Sequence, residues 1–79
     1  MSISEKVILV VAETFEIPAE EVLMSTSSSN TSTWDSFGQM SLVLNIEREF
    51  DIVLEFEEIF EIIDTQSIID LIIKKTSKA

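Results

Sequence analysis

The 79-residue chain has no cysteine, no histidine and no tyrosine, and only one glycine, one proline and one tryptophan. Without cysteine it can form neither disulfides nor thiolate metal sites, so the stapling that supports small extracellular domains is excluded. Without histidine it lacks the usual general base at neutral pH. Positive charge is scarce as well: five Lys and Arg face fifteen Asp and Glu, a formal charge of −10. That field repels phosphate backbones and anionic headgroups, which argues against nucleic acid as a partner, and it favours partners with basic patches. No run is long and apolar enough to span a bilayer. Val7 to Ala12 is short, has no basic flank and is followed at once by acids, unlike a secretory signal. The expectation is a cytoplasmic, monomeric protein with no membrane insertion.

What is present is aliphatic. Many Ile, Val and Leu with five Phe suit a compact core in one domain, which at this length buries about two thirds of its unfolded surface. Ser2 and Glu5 form a capping box ahead of a first helix over about 3–16, with Ile3, Val7, Val10, Val11 and Phe15 near helical spacing. The β-branched run Val7 to Val11 leaves a buried strand as the alternative. Pro18 disfavours helical geometry at Ile17 and ends the element there. Ala19 to Val22 suits a short turn, with Val22, Leu23 and Met24 as anchors to the core. Ser25 to Thr33 is nine residues of Ser, Thr and Asn, a composition that reads as part of a long exposed loop over about 17–35.

Helix is expected again over about 36–50, where the apolar residues separate into two stripes. Leu42, Val43, Ile46 and Phe50, with the aliphatic part of Gln39, form one. Phe37, Met40 and Leu44 form another, on the side shared by Ser41, Glu47 and Arg48. One stripe suffices for a core, so the second is available to a partner or a ligand. Asp51 to Glu55 reads as a connection with Ile52 and Leu54 inward. A short helix follows over about 57–61, with Phe56, Ile59 and Phe60 as its apolar residues. Asp64 or Thr65 can cap a last helix to about 75, with Ile68, Ile69, Ile72 and Ile73 apolar and Lys74 and Lys75 suited to its C-terminal dipole. Ser36 itself fits an N-cap, and Ser36-x-x-Gln39 fits a capping box.

Over nearly its whole length the chain resembles the acyl carrier protein family. The resemblance lies in Asp35-Ser36 after a long loop, Leu42-Val43 in the next helix, Glu47-Arg48-Glu49-Phe50-Asp51-Ile52 at its end, and Ile62 to Asp70 closing the domain. It implies an all-α, right-handed, mostly up-and-down bundle of three main helices and one short one, and a carrier rather than an enzyme. It implies that Ser36 receives 4'-phosphopantetheine from coenzyme A through a magnesium-dependent phosphopantetheinyl transferase. Asp35 would help to present the serine and the cation. The arm's thiol would supply the sulfur this chain lacks, carrying acyl groups as thioesters for fatty-acid, lipid, cell-envelope or polyketide-like synthesis. Implied partners are an acyl-loading ligase or synthetase, and acyltransferases or synthases with basic docking patches. Phe37, Met40, Leu44, Glu47, Arg48, Glu49, Phe56, Glu57 and Phe60 are the expected docking residues, with Glu55, Glu58 and Glu61 extending the acidic field. No residue is assigned to catalysis or to metal.

Several positions depart from the family pattern. Phe37 stands where an aliphatic residue usually follows the serine, Gly38 and Ser41 replace common acids, and Arg48 replaces a frequent acid. Phe56 and Phe60 replace small or charged residues near the mouth through which an acyl chain enters the bundle. These changes point away from the housekeeping fatty-acid cycle and toward a specialised discrete carrier. A carrier of aminoacyl groups, including the D-alanyl type, is the near alternative, and an unmodified helical adaptor is a more distant one. A serine hydrolase is the poor enzyme alternative, given the missing His and Gly-x-Ser-x-Gly elbow, and an EF-hand is excluded by the missing Asp loop. Because self-repulsion of the acidic surface opposes folding, added salt or magnesium is expected to raise the melting temperature in a thermal scan. A flat or falling dependence would contradict that origin.

Overall fold

A computed structural model describes residues 1–77. Helix α1 spans Ile3–Phe15, a 3-10 turn Ala19–Glu21, α2 Ser36–Phe50, the single turn α3 Phe56–Ile59, and α4 Thr65–Thr76. The all-helical class expected from the sequence is what is found, with no strand among the described residues and one isolated bridge between Ser27 and Asp64. Residues Val7 to Val11 are helical, which removes the strand alternative: with Val7, Val10, Val11 and Phe15 buried, they supply the stripe that α1 lays against α2 and α4.

Local chemistry sets the helix ends. Glu5 N–H donates to Ser2 Oγ at 3.1 Å and Ser2 N–H to Glu5 Oε1 at 2.9 Å, a complete capping box. Glu16 leaves α1 in the left-handed region (φ 58°), and Ile17 N–H closes back on the Ala12 carbonyl, so the helix stops at Phe15 rather than Glu16. Asp51 ends α2 in the same way (φ 54°). Both positions would suit glycine, yet the only glycine is Gly38. Asp64, not Thr65, caps α4, accepting from Ser67 N–H at 2.8 Å, while Ser67 Oγ accepts from Asp64 N–H at 3.0 Å. Thr65 is instead fully buried, its N–H donating to the Thr26 carbonyl at 3.1 Å.

The Ser/Thr/Asn segment is mostly exposed, as expected, with Thr26 the exception. Thr26 is buried, and its Oγ1 accepts from Leu23 N–H at 2.9 Å. Asn30 accepts from Ser27 N–H and donates to the Ser25 carbonyl, Gln66 N–H reaches the Met24 carbonyl, and Thr33 Oγ1 donates to the Phe15 carbonyl. Short hydroxyl and amide side chains satisfy the backbone locally, so the segment is stitched to the end of α1 and the start of α4 with little apolar surface. Leu23 and Met24 are exposed, contrary to expectation, and Val22 alone of the three reaches the core. In α4, Leu71 is buried and Ile73 half exposed, because the helical phase set by Ile68 and Ile72 carries residue 73 outward.

The short helix is fixed electrostatically. It begins at Phe56 because Glu58 Oε1 accepts from Glu55 N–H at 2.7 Å. The same oxygen lies 2.8 Å from Lys75 Nζ, and Lys74 lies 3.6 Å from Glu61. The lysines therefore tie α4 to the α3 region as well as facing their own helix end. The Lys75 bond, followed by the Glu55 amide, holds the Glu58 carboxyl below its ordinary pKa. Its contribution to stability is thus present above the unfolded carboxylate pKa and is lost as pH falls through the lower folded value.

Gly38 is buried on α2, where an added Cβ would stand 2.9 Å from Phe15 Cε1 and overlap the Thr33 carbonyl oxygen. Helix propensity alone would make Gly38→Ala a gain of about 1 kcal/mol. The contact reverses the sign: the variant is expected to lose about 1–3 kcal/mol through overpacking. Urea unfolding midpoints test this, and a stabilised variant would refute the close approach.

Candidate functional site

The site begins where the loop gives way to α2. Asp35, with extended backbone, is the N-cap, and its Oδ1 accepts from Gly38 N–H at 2.8 Å. Ser36 is therefore the first helical residue and not the cap, and its side chain takes no part in a capping box. A carboxylate one residue earlier outcompetes the hydroxyl because it reaches the third amide of the helix with a formal charge. The exposed Ser36 hydroxyl is left unencumbered at the helix tip. Gln39 N–H bonds to the Asp35 carbonyl, whereas the amides of Ser36 and Phe37 have no partner among the described residues.

Beneath this tip lies a network that sequence pattern missed. Trp34 is 3% exposed and stacks on Phe15 with centroids 4.6 Å apart. Its Nε1–H donates to Gln39 Oε1 at 2.7 Å, and Gln39 Nε2 donates to the carbonyls of Ile59 at 3.3 Å and Ile62 at 3.2 Å. Spacing alone gives Gln39 no more than an aliphatic contribution to the core stripe. The structure gives the amide the larger task of joining the loop, α2 and the α3–α4 connection. The one signal available in the sequence is a tryptophan five residues before a glutamine on the inward side of a helix. Trp34, Gln39, Ile62 and Ile63, with Ser28, Asp35 and Ser36, line an open groove of about 400 Å³.

The expected docking residues fall into separate groups. Phe37 is 82% exposed, and Met40 and Leu44 are more than half exposed along the same helix, so this second stripe is uncovered in the isolated chain. Glu47 is half buried, with Oε2 accepting from Leu54 N–H at 2.8 Å, so it holds the turn after α2. Arg48, Glu49 and Glu57 are exposed. Phe56 and Phe60 are 72% and 68% exposed and meet edge to face at 5.0 Å. It is Ile62 and Ile63, not this pair, that border the groove at Ser36. Glu58 and Glu61 are paired with lysines, which lowers the net charge of that part of the acidic field.

No protein-family model matches the chain. It is 31% identical over 70 residues to an acyl carrier protein of Syntrophus aciditrophicus (strain SB), a match covering 89% of this chain and 88% of that relative. No helix among the described residues is long and apolar enough to cross a membrane.

Gln39→Leu keeps the bulk of the side chain but strands the Trp34 N–H and the Ile62 carbonyl, while the Ile59 carbonyl keeps the Ile62 N–H. It is expected to cost about 1–3 kcal/mol and to alter Trp34 emission, read in urea titrations followed by fluorescence. Wild-type stability in the variant would show that the network contributes nothing.

Proposed function

Since the chain belongs to the acyl carrier protein family, we propose that it holds acyl intermediates as thioesters on 4'-phosphopantetheine attached through Ser36 Oγ and presents them to partner enzymes. The observation that carries this reading is the separation of duties at the helix tip. Asp35 caps, so the adjacent hydroxyl is exposed and can be modified without removing a structural bond. The residues fit the group in a second respect. A phosphodiester on Ser36 would lie by the amides of Ser36 and Phe37 at the positive end of the α2 dipole, where an anion is favoured. The attached arm supplies a flexible thiol, a group that the chain itself lacks.

The surrounding residues divide the remaining work. Phe37, Met40 and Leu44 offer partner enzymes an apolar contact beside the modified serine, and exposed Glu49 and Glu57 offer charge to their basic patches. The pathway is one of lipid, cell-envelope or polyketide-like synthesis, with the phosphopantetheinyl transferase and a loading ligase or synthetase as the first partners. Asp35 serves twice, as cap and as the carboxylate that faces the transferase and its magnesium.

Incubation with coenzyme A, magnesium and a phosphopantetheinyl transferase is expected to add the mass of one phosphopantetheine to the wild type and none to Ser36→Ala. Asp35→Asn retains a capping oxygen, so it should melt close to wild type yet be modified more slowly. Absence of any mass gain with several transferases would sink the carrier reading. An unchanged rate for Asp35→Asn would confine Asp35 to capping.

A further inference from the structure

We infer that Gln39 and Trp34 form a latch that keeps the cargo of this carrier out of the helical interior, which makes it a carrier of short acyl groups. The inference rests on attachment at Ser36. An arm anchored there reaches the interior most directly through the groove bordered by Trp34, Gln39, Ile62 and Ile63. Trp34 and Gln39 close the inner side of that groove. The indole is buried against Phe15, and it belongs to the same core as Leu42, Ile46 and Ile68, which are at most 1% exposed.

Parting α2 from the α3–α4 connection would break both bonds from Gln39 Nε2, to the carbonyls of Ile59 and Ile62. Moving Gln39 would also leave the Trp34 N–H without its acceptor. The buried indole N–H would then bear the full cost of desolvation, and the Ile62 carbonyl would lose its donor, whereas the Ile59 carbonyl keeps the Ile62 N–H. The groove itself requires no such opening. Its volume, about 400 Å³, lies toward the low end of small-molecule sites, and its lining is mixed, with Trp34, Ile62 and Ile63 beside Ser28, Asp35 and Gln39. A short acyl group can rest there, whereas a long aliphatic chain would run on into water.

The test loads the wild type directly from acetyl-coenzyme A and dodecanoyl-coenzyme A with a transferase, confirms each product by intact mass, and follows thioester cleavage by hydroxylamine. Cleavage of the two forms is expected to agree within about twofold, because only burial of the chain would shield the thioester. Trp34 emission should be the same in both. Gln39→Ala removes the latch and should make the dodecanoyl form selectively resistant. A dodecanoyl wild type cleaved about tenfold more slowly than the acetyl form, or with shifted Trp34 emission, would overturn the inference while leaving attachment at Ser36 intact. A folded Gln39→Ala without selective resistance would overturn the assignment to Gln39, and a variant that does not fold leaves the wild-type comparison to decide. Failure of both coenzyme A derivatives to add mass would overturn the inference together with the carrier reading.

Discussion

A buried indole carries one N–H that has to be paired, and in this protein the pairing of Trp34 with Gln39 organises the surroundings of Ser36. The ring stacks on Phe15 at the last turn of α1, so the loop cannot drift from that helix. Gln39 passes the constraint on to the carbonyls of Ile59, the last residue of the single-turn α3, and of Ile62 just beyond it. Gly38 sits against Thr33 and Phe15 because a side chain there would push α2 off the loop. The sole glycine is therefore used for close approach, and the left-handed helix ends fall to Glu16 and Asp51, which adopt that backbone less readily.

Around this cluster the molecule is held by polar bonds where its apolar residues run out. Asn45 Nδ2 reaches Thr14 Oγ1 at 2.8 Å between α2 and α1, and Lys75 reaches Glu58 between α4 and α3. Glu47 secures Leu54, and Thr26 and Thr65 join the loop to α4. A chain of this length has a small core, so these connections position the elements that the core touches only at one side. They also leave several large apolar side chains, Phe37, Phe56 and Phe60 among them, outside the core in the isolated chain. Such exposure suits a protein whose work is to be handled by other proteins.

The all-α class was legible because helical periodicity, the Ser2 and Asp64 caps and the Pro18 break agree with one another. The apolar stripe Leu42, Val43, Ile46 and Phe50 could be read directly from spacing: the first three are buried, and Phe50 is partly buried against the core. Charge balance and the missing Cys and His restricted the chemistry before any fold was known. The resemblance at Asp35-Ser36 and along the following helix pointed to the family that the Syntrophus relative supports. All of these are local or compositional properties, and they survive in any conformation of the chain.

What spacing could not reveal depends on contacts between segments far apart in sequence. Which of Asp35 and Ser36 caps α2 is decided by which oxygen reaches Gly38 N–H once the loop is in place. Whether Gln39 is filler or bridge depends on Ile59 and Ile62, twenty or more residues away. The burial of Thr26, the exposure of Leu23 and the turn of Lys75 toward Glu58 likewise follow from neighbours that only folding supplies. Sequence by itself determined the helices and the presence of a hydroxyl at the start of the second one. The tertiary structure decided that this hydroxyl is free of capping and that the wall beneath it is bonded shut, because hydrogen bonds and close contacts are properties of positions in space, not of order along the chain.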